Sequence, residues 1–279
     1  LATVDAGILE GGSGADTFLL AGALEGASLY GGSAGGSGDS ADLISIEAGL
    51  TSAAVYGQGG DDTLYVNAGG ASKATVFGGS GDDSVQLNGA GATSFYFQGG
   101  TGADSLTVSG LFGSTLYGDD SLSTEGGNDS ISVGGNLSGS VVYGNLGNDM
   151  LSVDGGMIGG SVFGGSGNDS VYINDGVSTA ALIDGGIGAD FISVAALSGT
   201  SSVLGADGAD TITVSGTSTQ WLVDGGSGND SIDITSLAQR ASVYGGDGAD
   251  RIELDAVSKG YLEGNIGADT IVVSGGSQS

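Results

Sequence analysis

The chain has 279 residues, of which 61 are glycine, and it contains no proline, cysteine or histidine. That composition excludes collagen, which needs glycine at every third position with abundant proline, and removes disulfides, thiolate and imidazole metal sites, cysteine nucleophiles and histidine bases. Four cations against 33 carboxylates give a formal charge of −29, which disfavours contact with nucleic-acid phosphates and with anionic lipid surfaces.

A repeat governs everything else. An aspartate closes a glycine-rich turn at Asp16, Asp42, Asp62, Asp83, Asp104, Asp129, Asp149, Asp169, Asp190, Asp210, Asp230, Asp250 and Asp269. Most intervals are 20 or 21 residues, and these thirteen copies fill residues 1–279 without a linker, as one continuous domain.

The first unit runs from a short strand carrying Leu9 into Gly11-Gly12-Ser13-Gly14-Ala15-Asp16, then out through Phe18 and Leu20. The second turn is lengthened, spanning 31–42, and leads into Ile44 and Ile46. Regular units follow with Leu64/Val66, Val85/Leu87 and Leu106/Val108, before a second lengthened turn at 118–129 that adds Asp119, Asp120 and Glu125. Extra length of this kind is expected to protrude as surface loop. The pattern continues to Ile252/Leu254 and Ile271/Val273. Apolar residues two and four places after every aspartate predict a strand with one buried face.

Before each turn lies a second short strand. Its inward residue, two before the first glycine, is apolar in every copy, as in Val55, Val76, Phe97, Val162 and Val243. The residue directly before the glycine is mixed, including Glu10, Tyr30, Tyr56, Phe77, Gln98, Tyr117, Tyr143, Phe163 and Asp184, so that side faces outward. A looser Gly/Ala/Ser return, such as Asn88-Gly89-Ala90-Gly91-Ala92, completes the unit. One unit cannot bury its own apolar face, but stacked units can. The expectation is an all-β parallel solenoid, or β-roll, of about 13 coils and a length of roughly 60 Å. Two sheets are favoured over three, because about 20 residues per coil leave little room for a third strand and turn.

Glycines let the turn adopt positive φ and aim successive carbonyls at one point, and the aspartate adds a carboxylate there. Stacked turns would assemble several oxygens around each gap, a donor set suited to calcium rather than to the tighter octahedron of magnesium. Gly11 to Asp16, Gly78 to Asp83, Gly164 to Asp169 and Gly225 to Asp230 resemble the RTX calcium-binding repeat, GGxGxDxUx with U large and apolar. The resemblance covers essentially all thirteen coils. It implies a β-roll, calcium between successive turns and export by a type I system. By that resemblance the ligands are the thirteen turn aspartates, with the carbonyls of Gly11, Gly14, Gly78, Gly81, Gly99, Gly102, Gly164, Gly167, Gly185, Gly188, Gly225, Gly228, Gly245 and Gly248. The usual RTX roll carries its motif on both edges; here only one edge does, so one file of ions is expected, about one per pair of adjacent coils. Turns beginning at Gly57, Gly144, Gly205 and Gly264 lack the second glycine. Twelve such ions would bring the charge from −29 to about −5, suited to a soluble surface.

Four functions compete at this level. A structural surface protein, building an S-layer, sheath or fibril with copies of itself through coil ends or lateral faces, is favoured by the resemblance to bacterial surface proteins of this repeat type. An outward stripe of Tyr30, Tyr56, Phe77, Tyr117, Tyr143 and Phe163 is either a lateral contact or packing along the sheet. An adhesin stalk, or the secretion domain of a larger exported toxin or hydrolase, is the alternative. Ice binding is disfavoured, because the outward turn positions (Ser80, Thr101, Leu146, Ser166, Ile187, Asp207) form no regular array. An enzyme lacks candidate catalytic groups. No apolar run reaches the roughly 18 residues that a membrane-spanning helix needs. The chain starts at Leu1 with no signal-like segment, so any targeting signal is expected outside it. The expected location is extracellular, at a bacterial cell surface.

Overall fold

The computed structural model describes residues 3–33, 40–120, 124–216 and 218–275. Among these residues there is no helix, and every element is a strand. The lengthened turns at 31–42 and 118–129 fall partly on residues 34–39 and 121–123, which lie outside the described set.

Each coil lays its strands directly on those of the next, in parallel and in register. Val85 pairs with Leu64 on one side and Leu106 on the other, and Val76 with Val55 and Phe97. Hydrogen bonding gathers the strands into two sheets, one of 22 strands and one of 13. The 13-stranded sheet holds the segments that precede the aspartate turns, such as Thr75–Ser80 and Ser161–Ser166. The larger sheet begins with the segments that follow them, such as Thr63–Val66 and Thr211–Val214.

The return is not loose. It carries a third parallel ladder of two-residue strands, among them Leu24–Glu25, Leu50–Thr51, Leu111–Phe112 and Met157–Ile158, joined to the larger sheet. From Ser170 onward some coils run through the return without a break, as in Ser170–Ser178 and Ser231–Gln239. Two residues with one inward side chain are enough to close the coil, which is why about 20 residues suffice. Leu24, Leu50, Leu111, Leu137, Met157, Val177 and Leu197 are all buried there. Just beyond, a residue in the left-handed region redirects the chain into the 13-stranded sheet; Ser52 (φ 48°), Lys73 (φ 50°), Ser94 (φ 49°) and Arg240 (φ 50°) occupy this corner. A single residue tolerates that conformation where a helix would not.

The interior is four apolar columns running along the rod, with a fifth of small residues at the corner. Ala27, Ala53, Ala74, Ala181 and Ala241 belong to the last, and Phe95 and Trp221 fill it locally; all are buried. Its serines bring their own partners: the Phe95 amide donates to Ser114 Oγ at 3.0 Å and the Ser114 amide to Ser140 Oγ at 3.0 Å.

Outside, the aromatic stripe packs on itself. Tyr30 stacks on Tyr56 with ring centroids 4.6 Å apart, and Tyr117 on Tyr143 at 4.8 Å. Where Gln98 interrupts the column, Tyr96 bridges the gap to Phe77 and Tyr117 at 5.6 and 5.7 Å. Packing along the sheet therefore accounts for these rings within one rod.

Fully buried Ile212 and outward Thr213 on the same strand separate core from surface. Urea unfolding should show Ile212→Ala losing about 2–4 kcal/mol and Thr213→Ala within about 0.5 kcal/mol of the parent.

Candidate metal centre

Every aspartate that the repeat singled out lies on one edge of the rod, inside the turn. Asp83, Asp104, Asp129, Asp149, Asp169, Asp190, Asp210, Asp230 and Asp250 are buried, as are Asp42 and Asp62. They form a continuous chain of hydrogen bonds. The amide of Asp16 donates to Asp42 Oδ1 at 2.7 Å, that of Asp83 to Asp104 Oδ1 at 2.8 Å and that of Asp169 to Asp190 Oδ1 at 2.7 Å. The series continues coil by coil until Asp250 donates to Asp269 Oδ1 at 3.1 Å. One carboxylate oxygen in each turn after the first is thereby satisfied by the coil before it.

The second oxygen is not. Oδ2 is buried without a hydrogen-bond partner in Asp16, Asp83, Asp104, Asp129, Asp149, Asp169, Asp190, Asp210, Asp230 and Asp250. The first glycine of each turn shows where it points. A Cβ built on Gly78 would strike Asp83 Oδ2 and the carbonyl oxygen of Gly99 together. On Gly164 it would strike Asp169 Oδ2 and Gly185 O, and on Gly225, Asp230 Oδ2 and Gly245 O. This position is glycine in all thirteen coils, because the space a side chain would take holds two oxygens. Both are acceptors, and the carboxylate oxygen has no hydrogen-bond donor.

Carbonyls reach each gap from both sides. First-position carbonyls, such as those of Gly99 and Gly185, lean on the coil before; fourth-position carbonyls, such as those of Gly81, Gly167 and Gly228, lean on the coil after. The gap between two turns thus receives Asp Oδ2 and a fourth-position carbonyl from one coil and a first-position carbonyl from the next. Gly78, Gly81, Gly99, Gly102, Gly164, Gly167, Gly185, Gly188, Gly225, Gly228, Gly245 and Gly248 all sit at these positions. Among the described residues no three acidic side chains converge on one point; the donor set mixes carboxylate with backbone. The four turns of regular length without a second glycine keep the geometry. Gln58 (φ 89°), Asn145 (φ 84°), Ala206 (φ 77°) and Asn265 (φ 68°) hold positive φ there, closer to the left-handed well than Gly79 (φ 124°) or Gly165 (φ 122°).

Burial raises these carboxyls far above the usual range, since the charged form has lost its water. Asp104 and Asp149 are pushed up to about 8, Asp83, Asp129 and Asp210 to about 7, and Asp169 and Asp230 to about 6. The amide donated by the preceding coil pulls in the opposite direction in each case, and neighbouring carboxylates add to the rise.

A second, outer ladder went unread in the sequence. The fifth turn residue, when Asp or Asn, accepts the amide of its successor: Asp61 Oδ1 from Asp82 at 2.9 Å, Asn128 Oδ1 from Asn148 at 2.7 Å and Asn168 Oδ1 from Ala189 at 2.8 Å. Asp119 is the second residue of the lengthened turn at 118–129. It is fully buried and clamps the insertion, accepting the amides of Gly127 at 2.9 Å and Leu146 at 3.0 Å. The signal available was an acid standing where other turns have glycine.

No family model matches the chain, and no curated protein matches it by sequence. A solved structure of a hyperactive, Ca2+-dependent, β-helical antifreeze protein from an Antarctic bacterium is similar in fold. It has a TM-score of 0.61 and 19% identity, over 95% of this chain and 82% of that one. The fold is a parallel β-solenoid, and a repeat of about 20 residues with stacked, buried aspartates fits a repeat-type calcium β-roll.

In chelator, the raised carboxyls must ionise inside the fold as pH rises. An unfolded aspartate titrates near 3.9, so their stabilising contribution is complete below that value and is lost between about pH 4 and pH 8. Circular dichroism of metal-free protein should therefore show strand signal increasing as pH falls from about 8 to about 5. A metal-free fold equally stable across that range would contradict the desolvation account.

Proposed function

We propose that this chain is a calcium-stabilised extracellular structural solenoid of the RTX type, which assembles with copies of itself into a surface layer, sheath or fibril. The observation that carries the reading is the file of buried Asp Oδ2 atoms that lack a donor and share the space beside each first glycine with a carbonyl oxygen. A buried carboxylate oxygen without a donor needs a proton or a cation, and near neutral pH outside a cell calcium is the abundant hard cation with a preference for oxygen. The residues that would hold it are the turn aspartates from Asp16 to Asp269 and the first- and fourth-position glycine carbonyls. Calcium would supply charge neutralisation there and would tie each coil to the next. The proposed role involves no catalysis.

The rod's form supports the self-assembly reading: it has two sheet surfaces, and its acids gather on the edges. The proposed location, at the outside of a bacterial cell, rests on the calcium requirement and on the repeat type. A second reading, ice binding, draws support from the similarity to the antifreeze protein. Against it stands the outward turn array, in which Leu146, Ile187 and Asp207 interrupt Ser80, Thr101 and Ser166.

Electron microscopy with and without calcium decides between the readings. Ordered sheets or filaments in calcium, absent in chelator, are expected. Persistent single rods would point to a stalk or secretion domain, and thermal hysteresis with shaped ice crystals would move the assignment to ice binding. At the level of one site, Asp169→Asn places an amide where Oδ2 stood. It should raise the metal-free unfolding midpoint and lower calcium uptake by about one ion, read by urea titration and equilibrium dialysis.

A further inference from the structure

The 13-stranded sheet presents an outer surface whose charge pattern differs from the rest of the molecule. Over seven consecutive coils its outward residues are Ser28 and Tyr30, Ala54 and Tyr56, Thr75 and Phe77, Tyr96 and Gln98, Thr115 and Tyr117, Val141 and Tyr143, and Ser161 and Phe163. None carries a formal charge, in a chain of 33 acids. Glu10 closes the run at one end and Asp184 at the other, at the same outward position. Asp120, from the lengthened turn, borders it in a notch beside Phe77 and Gln98. The seven rings are already ordered by stacking at 4.6 to 5.7 Å, and Tyr96 is tied to Gln98 by a 2.9 Å hydrogen bond. Little side-chain entropy remains to be lost on contact.

We propose that this aromatic surface is the lateral interface between two copies of the chain, packed face to face with the rods antiparallel. The proposal rests on the self-assembly reading above and assigns it a surface. Seven coils at about 4.8 Å, each presenting about five residues, offer roughly 500 Å² per copy and about 1,000 Å² in total, the lower bound of a specific interface. Charge selects both the partner and the direction. Acidic rods repel each other along their edges, and an uncharged flat surface is where two of them approach without opposing carboxylates. In a parallel pair each of Glu10, Asp184, Asp224 and Glu263 would face its own copy. An antiparallel two-fold centred on the Tyr96 coil superposes the aromatic runs and carries Asp224 and Glu263 beyond the overlap, leaving Glu10 opposite the second copy's Asp184 at each end of the contact, outside the aromatic run.

Sedimentation velocity in millimolar calcium tests this with Thr115→Glu, which places an acid mid-surface without removing a ring, and with Ser132→Glu, on the outer surface of the other sheet, as control. Thr115→Ser checks that the site tolerates substitution, and circular dichroism checks that all forms are folded. Wild type, Thr115→Ser and Ser132→Glu should associate alike, and Thr115→Glu at least about tenfold more weakly. Association of Thr115→Glu equal to wild type would overturn this interface and leave self-assembly standing. A wild type that stays monomeric up to about 100 µM would overturn both.

Discussion

The constraint on which the molecule depends is a crowding of like partners: a buried carboxylate oxygen and a glycine carbonyl of the next coil share the space beside one bare glycine. Every other feature of the turn serves to create it. The first glycine is bare so that both oxygens fit, and positive φ at the second position turns the carbonyls along the rod axis. The preceding coil's amide holds the other carboxylate oxygen, which fixes the side chain in its inward pose. Left alone, such an arrangement is costly, because a desolvated carboxylate oxygen without a donor loses water and gains no hydrogen bond. The raised carboxyl values of Asp104 and Asp149 express that cost as a preference for a proton. A divalent ion meets the same need and serves two coils at once.

The apolar interior does not depend on the turn for its composition, only for its stacking. Columns such as Val55-Val76-Phe97 and Ile44-Leu64-Val85 are continuous because consecutive coils are in register. That register is set at the aspartate edge by the amide-to-carboxylate chain and at the opposite corner by left-handed residues such as Lys73 and Arg240. The same geometry sorts charge. Inward positions are apolar, the flat outer surfaces are largely hydroxyl or aromatic, and acids gather at the turns. A rod built this way has distinct sides, and its associations are decided by which side meets which.

Much of this could be read from residues. The aspartate interval gave the coil, period-two alternation after Asp62 or Asp210 gave the strand, and the apolar residue before each turn gave the facing strand. The third ladder was hidden because its signal is one inward residue in a stretch of Gly, Ala and Ser; Ala71 and Ala92 are buried there but read as loop. The left-handed corner was hidden for a different reason. Ala6, Ser52, Lys73, Gln220 and Arg240 occupy it as readily as Gly26 or Gly113, so no residue type marks it. At the site, the aspartates and glycines were legible as a pattern. The direction of each oxygen was not, since it follows from how one coil sits on the next. Tyr96 shows the same limit: it lies in the neighbouring outward column, and only the missing ring at Gln98 draws it into the stack.

The most direct measurement of the central claim is calcium stoichiometry by equilibrium dialysis of chelator-treated protein at neutral pH, with strand content followed in parallel. Uptake of about one ion per gap between adjacent turns, rising together with the strand signal, is what the buried-acceptor account predicts. A chain fully folded in chelator at neutral pH, taking up no calcium, would contradict it.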